Sequence, residues 1–85
     1  MENLKTEYKY LSFEMTPKQP KKTSCWVCRN KRSKVALALV KWYPAWREYC
    51  FFPIIVDTVY NAGCLKDIAD FLEQLMNQRR GDKHG

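Results

Sequence analysis

The 85 residues of the chain suffice for one small domain and exclude a second globular unit, and with it a deep cleft between two lobes. Apolar residues make up 46% of the chain and aromatic residues 14%, which is enough to bury a core and excludes disorder throughout. Lys and Arg outnumber Asp and Glu by 15 to 9, a net charge of +6, and no apolar run approaches the roughly twenty residues that a membrane span needs.

Two strands and a loop are predicted in the first third of the chain. Residues 8–15 alternate apolar and polar side chains, which is the period of a half-buried strand. Residues 16–24 hold two prolines, three lysines and no apolar residue, so they predict a flexible basic loop. Residues 25–30 predict a short second strand, and the polar residues 30–34 predict the turn of a hairpin.

The strongest predicted strand is the third, over residues 35–43, because both of its faces are apolar, as in a central strand. The sequence Tyr-Pro-Ala-Trp at 43–46 fits a type I turn with proline at its second position. The chain then returns as a fourth strand over residues 47–53, which ends at Pro53 because proline cannot donate to a ladder. Residues 54–60 form a connection with no clear pattern.

A helix is predicted to follow Asn61, which is a good N-cap. Its apolar positions are spaced 3, 4 and 3 residues apart, at Leu65, Ile68, Leu72 and Leu75. The chain is therefore predicted to form a single α+β domain over residues 1–80, a three- or four-stranded antiparallel β-sheet meander packed by one C-terminal α-helix. Residues 81–85 are predicted to be a disordered tail.

Four cysteines raise the question of a zinc site. Cys25-x-x-Cys28 has the spacing of half a site, which Cys50 and Cys64 would complete. Residues three apart in a strand point to opposite faces, however, and this pair lacks the tight turn of a metal knuckle. We therefore predict no metal, and we expect Cys50 to be a free thiol in the core.

Cys64 is the best candidate for a reactive side chain, because the third position of a helix stabilises a thiolate. A Cys-His mechanism also needs a base, and the only histidine, His84, lies in the predicted tail. The acidic helix residues fall on the outward face, and three glycines cannot build a phosphate-binding loop. We therefore predict a semi-buried structural thiol at Cys64, no catalytic residue, no cofactor and no enzymatic activity.

The basic charge is concentrated in one stretch. No acidic residue occurs between Glu14 and Glu48, where nine Lys and Arg residues lie. Such a segment attracts polyanions, most often nucleic acid, with an affinity that falls steeply with salt. The alternative is a solvated basic face that serves solubility.

Aromatic residues accompany these cations around the turn, in the sequence KWYPAWREY at 41–49. Two Trp and two Tyr at one end of a hairpin can stack on bases while the cations contact phosphates. They can equally form a hot spot for a protein partner, since Trp, Tyr and Arg are enriched in hot spots. In a third interpretation, Trp42 and Trp46 face each other across the turn and pack under the helix.

Three segments carry a resemblance to a known group of proteins: KWYPAWREYCFF at 41–52, NAGCL at 61–65 and DIADF at 67–71. The pattern Trp-Tyr, turn, Trp-Arg-x-Tyr-Cys-Phe-x-Pro, followed by a Cys-Leu-x-Asp-Ile helix, resembles a family of small uncharacterised bacterial proteins, many of them carried by prophages and other mobile elements. The match covers residues 26–75. Members of the family tend to have glycine in the turn at 43–45, and the family pattern does not include Cys25 and Cys28.

A three-stranded antiparallel sheet followed by a helix also resembles the arm-binding domains of mobile-element integrases and the plant AP2-type domains. Those domains lay the sheet in the DNA major groove. This second likeness is one of architecture alone, and fold does not establish function.

These observations predict a nucleic-acid-binding accessory protein of a mobile element. We expect it to be cytoplasmic and without membrane association, since the first ten residues carry no secretory signal. Its alternative is a protein–protein interaction module, a phage-type modulator of a host protein that uses the aromatic turn at 42–46. The residues predicted to contact DNA or RNA are Arg29, Lys31, Arg32, Lys34, Lys41, Arg47, Trp42 and Trp46.

Overall fold

Four strands and one helix make up the computed structural model, which describes residues 4–82. The strands form one antiparallel sheet in the order β1-β2-β3-β4, a meander in which each strand pairs with its neighbour in sequence. The predicted α+β fold is confirmed, and the first strand joins the sheet. The elements are β1 (Leu11–Met15), β2 (Trp26–Asn30), β3 (Ala36–Tyr43), β4 (Glu48–Pro53) and α1 (Ala62–Asp82).

The segment before β1 folds back instead of extending the strand. The prediction of a strand from residue 8 is wrong for residues 8–10, because the Tyr8 N–H donates to the Leu11 carbonyl (2.9 Å) and closes a turn. Glu7 then makes an isolated bridge with Ser12. The other three strands begin one residue later than predicted.

The loop between β1 and β2 is pinned by one side chain. Gln19 accepts from the Cys25 N–H (2.9 Å) and donates to the carbonyls of Cys25 (2.7 Å) and Thr16 (2.9 Å). These bonds bring the two ends of the loop together. The flexibility of the loop at 16–24 stays a prediction.

The helix begins at the predicted cap and ends later than predicted. The Asn61 side-chain oxygen accepts from the Cys64 N–H at 2.8 Å, as an N-cap does. α1 continues through Gly81 and Asp82, so the predicted tail starts too early. The remainder of that tail, residues 83–85, lies outside the described residues. In the part of the chain that the structure describes, no helix is both long enough and apolar enough to cross a membrane.

Replacing Asn61 by Ala removes this cap and leaves an N–H group at the helix start without its partner. We expect the free energy of unfolding to fall by about 1 kcal/mol, measured by urea denaturation. Asn61→Ser is the control, and it should stay within about 0.5 kcal/mol of the unchanged protein because a serine hydroxyl also caps well. Equal losses for the two variants would contradict a role for the side-chain cap.

α1 packs on one face of the sheet and builds the core there. The register sets Phe13 beside Cys28 and Cys28 beside Ala38, so these side chains share one face. Phe71 of the helix is fully buried against them. Its ring stacks on Phe13 with centroids 4.1 Å apart and meets Trp26 edge-on at 5.1 Å. The other buried members of this core are Tyr8, Leu11, Leu37, Val40, Tyr49, Cys64, Ile68 and Leu75.

Side-chain hydrogen bonds tie the segment before β1 to the helix. The Tyr8 hydroxyl donates to Asp70 Oδ2 (2.7 Å), and the Gln74 amide donates to the Tyr8 hydroxyl (2.9 Å). Gln74 also accepts from the Lys5 N–H (2.8 Å) and donates to the Lys5 carbonyl (3.0 Å). Burial and the Asp70 carboxylate raise the pKa of Tyr8 above its ordinary value, so the hydroxyl stays protonated and remains a donor.

Candidate functional site

The sheet has a second face, opposite the helix, which we name the open face. Among the residues that the structure describes, α1 is the only helix, and it packs on the side that bears Val40 and Trp42. Alternation along β3 turns Leu39, Lys41 and Tyr43 to the other side. The register extends the open face across the sheet, in a row formed by Glu14, Val27, Leu39 and Phe52.

Three aromatic side chains gather at the end of the open face near the β3–β4 turn, and we name Tyr43, Trp46 and Phe52 the aromatic platform. The Tyr43 ring meets Trp46 edge-on with centroids 5.1 Å apart, and it meets Phe52 at 5.8 Å. Lys41 Nζ lies 4.9 Å from the centre of the Phe52 ring. Since Trp46 is 68% exposed, the platform presents a large aromatic surface to solvent beside a cation.

The β3–β4 turn sets the position of Trp46. The predicted turn forms, because the Trp46 N–H donates to the Tyr43 carbonyl (3.2 Å), as does the Arg47 N–H (2.9 Å). Arg47 has a φ of 56°, in the left-handed region that favours glycine, and this conformation leads the chain into β4. The turn therefore places Trp46 against Tyr43 and away from the helix.

Trp42 lies on the face opposite the platform. It is half-buried, its ring meets Tyr49 edge-on at 5.3 Å, and the Arg79 guanidinium carbon lies 4.1 Å from its centre. The interpretation in which Trp42 and Trp46 face each other across the turn is therefore wrong. Because α1 covers the face that bears Trp42, a ligand on the open face can stack on Trp46 but not on Trp42.

The predicted cations divide between the two ends of β3. Lys31, Arg32 and Lys34 lie at the β2–β3 turn, whereas Lys41 and Arg47 lie towards the β3–β4 turn. β3 has eight residues, and at about 3.3 Å per residue it separates the two groups by about 23 Å. The structure thus splits the predicted site into two.

Arg29 and Lys31 are already engaged within the protein. Arg29 Nε pairs with a Glu14 carboxylate oxygen at 2.6 Å. Lys31 Nζ donates to the Tyr8 carbonyl (2.9 Å) and lies 3.5 Å from a Glu7 oxygen. A ligand would have to displace these contacts, so the two cations are weaker candidates for phosphate binding than the exposed ones.

Several residues of these surfaces could not be identified from the sequence. Phe52 completes the platform and lies outside the predicted aromatic cluster at 41–49, which does include Tyr43; the alternation of β3 is the signal that places Tyr43 on the face opposite Trp42. At the other end of the sheet, an open cavity of about 550 Å³ is lined by Lys9, Tyr10, Asn30, Lys31 and Arg32. No local pattern brings residues 9–10 to the β2–β3 turn, because their position depends on the fold-back before β1.

The cysteines do not gather into a site. All four are free, with Cys28 and Cys64 buried and Cys25 partly exposed. Cys50 was predicted in the core, but it pairs with Lys41 in the register and lies on the open face. Within residues 4–82, no three His, Cys, Asp or Glu side chains lie close enough together to hold a metal ion. Cys64 is only 8% exposed, so a reagent has poor access to it.

Burial, with a smaller effect of the neighbouring Cys64, raises the pKa of the Cys28 thiol from 9.0 to about 12. Below pH 9 the thiol is protonated in both the folded and the unfolded chain. Between pH 9 and 12 only the unfolded chain ionises there, so stability falls as pH rises, by at most about 1.4 kcal/mol per pH unit. Urea denaturation at pH 8, 9 and 10 should give a steeper fall for the unchanged protein than for Cys28→Ala. If the unfolding free energies of the two proteins fell equally with pH, the raised pKa of Cys28 would be contradicted.

A small basic α+β domain with one covered and one open sheet face is the class of protein that these features define. Its sequence is similar to an uncharacterised 9.3 kDa protein of Acholeplasma phage L2, with 32% identity over 71 residues, which are 84% of this chain and 90% of the phage protein. The chain belongs to the family of this phage protein. No family model matches the sequence, and no solved structure matches it either.

Proposed function

We propose that the chain is a nucleic-acid-binding accessory protein of a phage or other mobile element, acting in the cytoplasm and without enzymatic activity. The observation that carries this proposal is the aromatic platform, three rings and a lysine on the sheet face opposite α1, which is the one helix in residues 4–82. The similarity to a phage protein supports the assignment to a phage or other mobile element. In this proposal the pattern WRxYCFxP at 46–53 is a family fingerprint, because it builds the turn and strand that carry the platform.

Stacking is the interaction for which the platform is suited. Every nucleobase has a flat π-face, and stacking on an aromatic side chain contributes about 1–3 kcal/mol per base. Trp46 offers the exposed ring, and Tyr43 supports it edge-on. Base faces are accessible in single strands and stacked away in a duplex, so the proposed ligand is single-stranded DNA or RNA.

Positive charge supplies the rest of the attraction. Lys41 lies beside the platform, where it can approach the phosphates of a strand whose bases stack on Trp46. The net charge of +6 draws polyanions to the domain from a distance. Both contributions are screened by salt, so the affinity should fall as the ionic strength rises.

The test is a titration with single-stranded and duplex oligonucleotides of one sequence at two salt concentrations, followed by NMR of amide and indole groups. We expect the single strand to bind more tightly, binding to weaken with salt, and the largest shifts at Lys41, Tyr43, Trp46 and Phe52. Tighter binding of the duplex would contradict the single-strand ligand. No shifts at either salt concentration would overturn nucleic-acid binding altogether.

Exposed apolar side chains favour a second candidate function, a protein-interaction module that modulates a host protein. The connection between β4 and α1 exposes Val56 (86%) and Val59 (90%), and Ile54 is half exposed. Trp46 also suits a hot spot for a protein partner. Concentration-dependent self-association or capture of a host protein, together with no response to oligonucleotides, would favour this function over the first.

A further inference from the structure

Three arginines from two separate parts of the chain meet beside Trp42. Arg47 comes from the β3–β4 turn, whereas Arg79 and Arg80 come from the last turn of α1. Together with Met76 they line a cavity of about 100 Å³. Since one water needs only about 10–15 Å³ of such space, the cavity has room for several waters or for one ion of phosphate size.

Two of the three guanidinium groups beside this cavity are held in place by contacts that do not neutralise their charge. Arg79 Cζ lies 4.1 Å from the centre of the Trp42 ring, a cation–π contact that fixes the planar group. Arg80 donates to the Asn77 side-chain oxygen. Among the side chains of residues 4–81, both ion pairs that the structure shows involve other cations. Three positive charges therefore share a small volume with no acidic partner in that part of the chain.

We propose that this cavity is a binding site for a phosphate group. The planar fork of arginine donates parallel N–H bonds to phosphate oxygens, and three forks from different directions can engage several oxygens of a phosphate monoester. The simpler role for Arg79 and Arg80 is to offset the negative end of the helix dipole. That role accounts for neither Arg47, which another element supplies, nor the stacking of Arg79 on Trp42.

The cavity lies on the helix-covered side of the sheet, so this proposal does not depend on the aromatic platform. A phosphate monoester occurs at the end of a nucleic-acid strand and also in free phosphate compounds. Both present the same charged oxygens to the arginines. The experiment therefore starts with inorganic phosphate and then separates the two sources.

The first measurement is a titration with inorganic phosphate at constant ionic strength, following the Trp42 indole N–H and the arginine Nε–H groups by NMR. We expect saturable shifts at Trp42 and Arg79. Arg47→Gly removes one guanidinium and puts glycine at a φ of 56°, where glycine is favoured, so folding should be retained. It should bind phosphate about tenfold more weakly, the usual loss for a hydrogen bond to a charged group.

The matched control is Lys66→Gln, which removes one exposed positive charge from the other end of α1. It should bind phosphate as tightly as the unchanged protein, because Lys66 precedes Arg79 by thirteen helical residues and so lies about 20 Å from the cavity. Equal weakening by Arg47→Gly and Lys66→Gln would overturn the proposal and leave a general effect of net charge. The same conclusion follows if phosphate produces only small, unsaturable shifts spread over the whole chain.

A second pair of ligands, one oligonucleotide with a 5′-phosphate and the same one with a 5′-hydroxyl, identifies the source of the phosphate. Preference for the phosphorylated strand that disappears in Arg47→Gly supports the cavity and assigns it to strand ends. Saturable binding of inorganic phosphate without that preference supports the cavity and assigns it to a free phosphate compound. Loss of stacking at Trp46 affects neither result, so failure of the proposed function and failure of this site are distinguishable.

Discussion

Phe71→Ala is expected to lower the free energy of unfolding by about 3–5 kcal/mol. The Phe71 side chain is fully buried and touches both Phe13, at 4.1 Å between ring centroids, and Trp26, at 5.1 Å. Truncation leaves a cavity between helix and sheet that rigid aromatic neighbours cannot fill. The free energy of unfolding of an 85-residue domain is on the order of 5–10 kcal/mol, so the variant should lose about a third of its stability or more.

Urea denaturation followed by circular dichroism and tryptophan fluorescence measures this loss. Leu65→Ala is the matched control, because Leu65 lies in the same helix and is 55% exposed. Alanine is a good helix former, so the control should change stability by less than about 0.5 kcal/mol. A loss below about 1 kcal/mol for Phe71→Ala would contradict the packing of α1 on the sheet through this ring.

The fold could be predicted where a local pattern carries it. Asn61 marks the start of α1, and Pro44 marks the turn that makes β3 and β4 neighbours. The apolar spacing gives the helix face only in part, because Ile68 and Leu75 are buried as predicted whereas Leu65 is exposed.

The covered face could not be predicted, because β3 is apolar on both sides. By sequence, Val40 and Leu39 are equally suitable core residues. Because α1 packs on the face that bears Val40, Val40 is fully buried and Leu39 stays half-exposed.

Which residues form the candidate site depends on which face of the sheet α1 covers. Trp46 and Tyr43 both belong to the predicted aromatic cluster at 41–49, but Phe52 does not, and the separation of these rings from Trp42 can be assigned only once the helix side is known. Trp42 lies near the end of β3 and Arg79 near the end of α1, and the two residues in contact are 37 positions apart in the chain. No periodicity or spacing in the sequence encodes such a contact, since it arises from the length and angle of α1 across the sheet.

Trp46→Ala is expected to weaken binding of a single-stranded oligonucleotide about tenfold or more, since one stacked base contributes about 1–3 kcal/mol. Because Trp46 is 68% exposed, the unfolding free energy should change by less than about 0.5 kcal/mol, and the loss of affinity then reports on contact with the ligand. Fluorescence anisotropy of a labelled strand at low salt measures the dissociation constant. The salt dependence should stay nearly the same, because the variant retains every cation.

Tyr10→Ala is the matched control, because Tyr10 is also an exposed aromatic residue, at 44%, but lies by the cavity at the β2–β3 end of the sheet. It should bind the strand as the unchanged protein does. If both Trp46→Ala and Tyr10→Ala bind the strand with the affinity of the unchanged protein while salt still weakens binding, the strand is held by charge alone. The exposed ring of Trp46 would then be free for a protein partner, which is the result that the interaction-module function requires.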